Sequence, residues 1–169
     1  MALHCTRRLW LAALTALLPA VMAADAPGRE TAEAVGRILR APSPPPGVVF
    51  EIVTGEEDGL DWALPLVREQ IGRLRERFPG LPVAVVTHGE EMFGLAEEAA
   101  GGDPDLHALA ARLRRDLGVT VHVCGTFAGW RGLAPEDFPA GVDVAAAGPA
   151  QVNDYRALGW SVVRVTDDD

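Results

Sequence analysis

One histidine and one cysteine sit where strands should end, and a second histidine lies two residues before the cysteine. "VVTHGEEMFG" carries His88 ahead of Gly89, and "VTVHVCGTFAGW" carries His122, Cys124 and Gly125 ahead of an aromatic loop. A thiolate is the nucleophile of sulfur transfer and thiol–disulfide exchange. An imidazole beside it takes or returns a proton. His122 lies two residues before Cys124, so both project from one face of a strand with Cα atoms roughly 6.6 Å apart. It reads either as a base for the thiol or as a core histidine bonded to backbone, the commoner fate of buried polar groups. His88 is the better partner if its strand neighbours that of Cys124. Gly89 and Gly125 let the backbone turn sharply and approach a ligand. Backbone N–H groups after such a turn stabilise an anion, a thiolate included. Arg131 adds positive charge if the loop folds back.

The chain has only two cysteines. Cys5 lies in a leader: Arg7 and Arg8 precede the apolar "LWLAALTALLPAVMA", with small residues for cleavage near Ala23 or Ala24. Residues 1–24 therefore read as a cleaved export signal, and the mature chain as periplasmic or secreted. A membrane anchor is the rival, but the apolar run is short of the roughly 20 residues that span a bilayer. "TRRLWL" resembles a twin-arginine signal and equally fits a plain positive leader. Cleavage leaves Cys124 alone where thiols tend to be oxidised. Such a thiol is either buried and inert or kept because it reacts.

Composition narrows the rest. The net charge is −9, and loss of Arg7 and Arg8 makes it more negative by two. That surface repels nucleic acid and anionic lipid. All 15 basic residues are arginine, a bias with no functional content. Cys124, His122 and His88 make a poor metal set, without CxxC, HxxxH or an acidic fourth ligand. "GEEMFGLAEEAAGGDPD" lacks calcium-loop spacing and reads as a solvated helix and loop. No GxGxxG, GxxxxGK[ST] or GxSxG is present, so neither nucleotide binding nor serine hydrolysis has a motif. No cofactor and no metal is expected.

The elements that must carry these residues alternate. Short apolar runs at 48–53, 82–88, 119–124, 142–148 and 161–165 read as strands covered on both faces. Leu60, Leu64, Val67, Ile71, Leu74 and Phe78 form one helical stripe; Leu106, Leu109, Ala110, Leu113 and Leu117 form a second. Pro149 to Gly159 reads as a third helix, opened by proline and closed by glycine. A short helix is expected over Thr31–Leu39, followed by the stiff spacer "APSPPPG". Residues 25–46 are thus a helix and spacer, and 47–169 the domain. The order implies an α/β fold, three layers α/β/α around a mainly parallel five-stranded sheet. Ligands then meet the carboxyl ends of the strands. Glu51 interrupts the first strand and reads best as a half-exposed edge position. The loop Gly125–Gly141 carries Phe127, Trp130 and Phe138 as a lid or a subunit contact.

"GVVFEIV", "VAVVTHGEEMFGL", "VTVHVCG", "GLAPEDFPAGVDVAAAG" and "YRALGWSVVRV" together resemble the DsrE/DsrF-like family in order and spacing, over Gly47 to Val165. The resemblance implies a compact α/β/α domain with a five-stranded parallel sheet, often assembled as trimers or hexamers. It implies a persulfide-carrying cysteine at the end of the third core strand, which is Cys124 here. It departs from the relay members in its export signal, its aromatic loop and its Pro-rich leader. The expected function is an exported sulfur carrier or sulfurtransferase, with a small sulfur donor or an acceptor thiol protein as partner. The alternatives are a non-catalytic homo-oligomeric ligand-binding or assembly module, and a thiol redox sensor.

Overall fold

The computed structural model describes residues 28–101 and 103–166. The expected leader lies outside the described residues. Five strands form one sheet: β1 (Val48–Ile52), β2 (Val83–Thr87), β3 (Thr120–Cys124), β4 (Val142–Ala145) and β5 (Ser161–Val165). Every neighbouring pair is parallel, in the order β4-β3-β2-β1-β5. Five helices connect or flank them: α1 (Arg29–Leu39), α2 (Leu60–Arg77), α3 (Pro104–Arg115), α4 (Gly125–Trp130) and α5 (Gly148–Ala157).

Handedness decides which face each helix covers. The chain steps in one direction from β1 to β2, β3 and β4, so right-handed crossovers put α2, α3 and α4 on one face. The return from β4 to β5 runs the other way and puts α5 on the opposite face. Packing agrees. Phe50, Ile52, Val85, Val121, Val123 and Val163 share a core with the α2 stripe, with Leu113 and with Ala128 of α4. Val49, Ala84 and Val86 pack with Val152 of α5, beside Tyr155 and Trp160. β1 and β2 are buried along their whole length, as the unbroken apolar runs imply. α3 is capped by Asp103, whose carboxylate accepts the Leu106 N–H at 2.9 Å, with Pro104 as first residue.

Three expectations need correction. The N-terminal helix is part of the folded layers and not a leader outside them. Val35 is fully buried, and the Thr31 hydroxyl donates to the Arg164 carbonyl of β5 at 2.9 Å. Glu51 is not at an edge, because β1 lies between β2 and β5. The segment after Cys124 is not an open loop. It begins at once as α4 and later forms a 3-10 turn at Pro135–Asp137. Of its three aromatics Trp130 is exposed, Phe127 is half-buried and Phe138 is in the core.

Candidate functional site

The connections change face between β3 and β4. There the chain leaves β3 into α4 on one face, and leaves β4 into α5 on the other. Diverging loops open a crevice at the carboxyl ends of such a strand pair. A cavity of about 480 Å³ occupies that place. Cys124, Phe127 and Trp130 form one wall, Ala147 and Pro149 a second, and Thr54, His88 and Gly89 the floor at the ends of β1 and β2. Trp130, 78% exposed, stands on its rim. Phe127 lies edge-on between Trp130 and Phe93, with ring centroids 5.8 and 5.1 Å away.

Cys124 is the last residue of β3 and the cap of α4. It is 5% exposed and lines the cavity. The Phe127 N–H donates to its Sγ at 3.5 Å, a contact that a thiolate accepts. Thr126 locks the turn: its N–H and its hydroxyl both donate to the Ala146 carbonyl, at 3.1 and 2.7 Å. Gly125 lies at this junction. A Cβ there would come within 3.0 Å of the Ala145 carbonyl and 3.1 Å of Val144, so a side chain would push these two strand ends a few tenths of an ångström apart.

His88 continues β2 where Cys124 ends β3. The last register pair between them is Thr87 with Val123, so His88 and Cys124 follow it side by side and both line the cavity. Its ring leans toward β1, where Nε2 lies 3.1 Å from Glu51 Oε1. The second oxygen of Glu51 accepts from Arg164 Nε at 3.2 Å. Glu51 itself is 7% exposed. His122 does share a face with Cys124, but its Nε2 bonds the Tyr155 hydroxyl at 2.9 Å and it does not line the cavity. Burial lowers its pKa below 6.5, partly offset by Asp143 on β4. It is therefore a neutral core histidine at pH 7, bonded to a side chain where backbone was expected. Arg131 does not reach the thiol. It pairs with Glu57 at 3.1 Å and with Glu90, and lies over the Phe93 ring at 4.6 Å. Among the described residues no group of three potential metal ligands gathers, and no helix is long and apolar enough to cross a membrane.

No family model matches the chain. The structure of MTH1491, a protein of unknown function from Methanobacterium thermoautotrophicum, superposes with a TM-score of 0.56 at 22% identity, covering 69% of this chain and 96% of that one. The ychN protein from E. coli gives 0.53 at 18%, covering 70% and 98%. The fold is DsrE-like. By sequence, 88 residues are 28% identical to the NAD-dependent malic enzymes of Pectobacterium carotovorum subsp. carotovorum and Pectobacterium atrosepticum. The match takes in 52% of this chain but only 13% of the length of those enzymes.

Within this DsrE-like frame one residue escaped the sequence reading. Glu91 is fully buried in a stretch that reads as a solvated acidic helix. Oε1 accepts from the Thr87 hydroxyl at 2.5 Å and the Gly89 N–H at 2.9 Å; Oε2 accepts from the Thr54 N–H at 2.8 Å and its hydroxyl at 3.2 Å. The carboxylate clips the ends of β1 and β2 together and fixes the cavity floor. Gly89 is there to make room, since its Cβ would sit 2.3 Å from Glu91 Oε2. The available signal was a threonine at or just past the end of each strand, Thr87 and Thr54, with a glutamate just after the glycine turn.

Proposed function

We propose that the chain is a sulfur carrier in which Cys124 accepts a sulfane sulfur as a persulfide and hands it to an acceptor thiol. The observation that carries this reading is the position of the Cys124 sulfur: in the wall of the crevice between β3 and β4, with a backbone N–H aimed at it. The chemistry is thiol exchange. The Cys124 thiolate attacks the outer sulfur of R–S–SH. The donor S–S bond breaks, R–S⁻ departs with the electron pair, and Cys124–S–SH remains. An acceptor thiolate then attacks that outer sulfur and restores the Cys124 thiolate. Neither step consumes an oxidant or a reductant.

The cavity suits the first half. About 480 Å³ accommodates a small thiol-borne donor, and the apolar side chains of Phe127, Trp130 and Pro149 line the space around it. Trp130 on the rim suits contact with an acceptor thiol protein or a second copy of the chain. The leader "RRLWLAALTALLPAVMA" supports export, and with it a relay that works in the periplasm or outside the cell. The DsrE-like fold supports a homo-oligomer, and light scattering is expected to give the mass of a trimer or hexamer.

A second reading has its own support. The low exposure of Cys124 and the Phe127, Trp130, Ala147 and Pro149 walls also suit a non-catalytic site for a small apolar ligand. Intact-mass measurement after treating the folded chain with inorganic polysulfide separates the two. Gain of one sulfur atom, absent in Cys124→Ser, supports the carrier. An unchanged mass under native conditions supports the binding module, and oxygen addition with peroxide alone supports a redox sensor.

A further inference from the structure

We propose that Glu51 and His88 act as a proton-handling pair for sulfur transfer at Cys124, His88 moving the proton and Glu51 holding its ring; this rests on the sulfur-carrier reading. The starting point is the misplaced charge. A carboxylate in an inner strand of a parallel sheet costs several kcal/mol unless its lone pairs are used. Glu51 is 7% exposed, and one of its oxygens is spent on a histidine that lines the cavity. Glu51 Oε1 acts as acceptor, so the Nε2 of a neutral His88 carries the proton and Nδ1 is the free lone pair. That Nδ1 has no protein partner among the described residues, and no unpartnered side-chain nitrogen there is buried. The base is therefore open, and the cavity is the space His88 lines.

The Cys124 thiol lines the same cavity. His88 and Cys124 follow in register after Thr87 and Val123 on adjacent strands, which run about 4.8 Å apart. The other charged groups around His88 are few. Glu90 lies in the turn that follows, the buried Glu91 carboxylate is held by Thr87, Gly89 and Thr54, Arg164 on β5 sits beyond Glu51, and His122 on β3 is taken by Tyr155. From α5 Gly148 abuts the His88 ring, and Pro149 lines the same cavity.

The proton then balances over one transfer. His88 Nδ1 takes the proton of the Cys124 S–H, and the electron pair stays on sulfur. That pair bonds the outer sulfur of R–S–SH, the donor S–S bond breaks, and R–S⁻ leaves with its electrons. The imidazolium returns its proton to R–S⁻. The products are Cys124–S–SH and R–SH, with His88 neutral again. Glu51 is a positioning residue: it sets the tautomer and stabilises the transient imidazolium.

The test uses the full chain with glutathione persulfide as donor, reading the rate and end point of one-sulfur gain by intact mass across pH. His88→Gln and Glu51→Gln are expected to load the same single sulfur at a rate lower by about a hundredfold. The histidine-dependent limb of the pH profile is expected to vanish in His88→Gln. In His88→Ala, added imidazole is expected to restore the rate. Glu51→Asp, which keeps the charge, is expected to recover part of what Glu51→Gln loses. Rates within twofold of the native chain at an equal end point, an unaltered pH profile, or no response to imidazole overturn the pair while leaving the carrier intact. A native chain that takes up no sulfur overturns the carrier reading and the pair with it.

Discussion

Replacing Glu91 by glutamine changes one atom and should unfold the floor of the site. The carboxylate receives two backbone N–H groups, Gly89 on one oxygen and Thr54 on the other. A glutamine offers one oxygen and one NH2. The Thr87 and Thr54 hydroxyls can rotate to accept from the NH2, but a backbone N–H has no such option. Whichever way the amide turns, one buried N–H faces another donor. An orphaned buried donor costs about 1–3 kcal/mol, and the bonds that survive lose their charge assistance. Together these give about 3 kcal/mol, with no cavity to add because the side chains are isosteric. For a chain of this size that is a fall in Tm of about 6–12 °C. Thermal and urea unfolding of Glu91→Gln against the native chain reads it directly. Thr54 and Gly89 border the cavity, so alkylation of Cys124 should also quicken. A loss under about 1 kcal/mol would mean that the clip does not exist as drawn, and the floor is held by other contacts.

Other consequences are simpler to read. Gly148→Val should destabilise by about 1–3 kcal/mol and slow sulfur loading, because even a Cβ would lie 2.4 Å from the Cβ of His88; unchanged stability would show that α5 does not abut that ring. Trp130→Ala should leave the unfolding midpoint within about 0.5 kcal/mol of native while admitting a bulky maleimide to Cys124 faster, since this exposed ring narrows the cavity mouth. His122 sets a pH dependence. Its native pKa is lowered by burial from 6.5, so the unfolded chain binds its proton first and stability falls as pH drops below 6.5, levelling off below the lowered native value. Urea midpoints between pH 7 and 5 should show this component, and His122→Gln should remove it. A slope unaltered by the substitution would place His122 in water.

The sheet was open to sequence reasoning because its signals are local. Five apolar runs bounded by Gly, Pro and polar turns give five strands, and the α2 stripe shows its period plainly. Cys124 as the end of β3 follows from the same pattern. What escaped depends on contacts far apart in the chain. Glu51 reads as an edge residue until β5 is seen to pair with β1, which no local signal reports. Glu91 lies in a run of acids, and a neighbouring acid looks solvated when its donors come from Thr54, distant in sequence. Arg131 is close to Cys124 along the chain, yet α4 carries it past the cavity to Glu57 and Glu90. Phe138 looked like surface because the turn Pro135–Asp137 that folds it inward has no strong signature.

The most direct check is to follow one sulfur atom on and off the protein. The folded chain is treated with polysulfide, freed of excess, weighed intact, then mixed with a small thiol and weighed again, with Cys124→Ser alongside. The account predicts one sulfur gained by the native chain alone and lost completely to the thiol. Equal uptake by Cys124→Ser, or a native chain whose mass never changes, contradicts it.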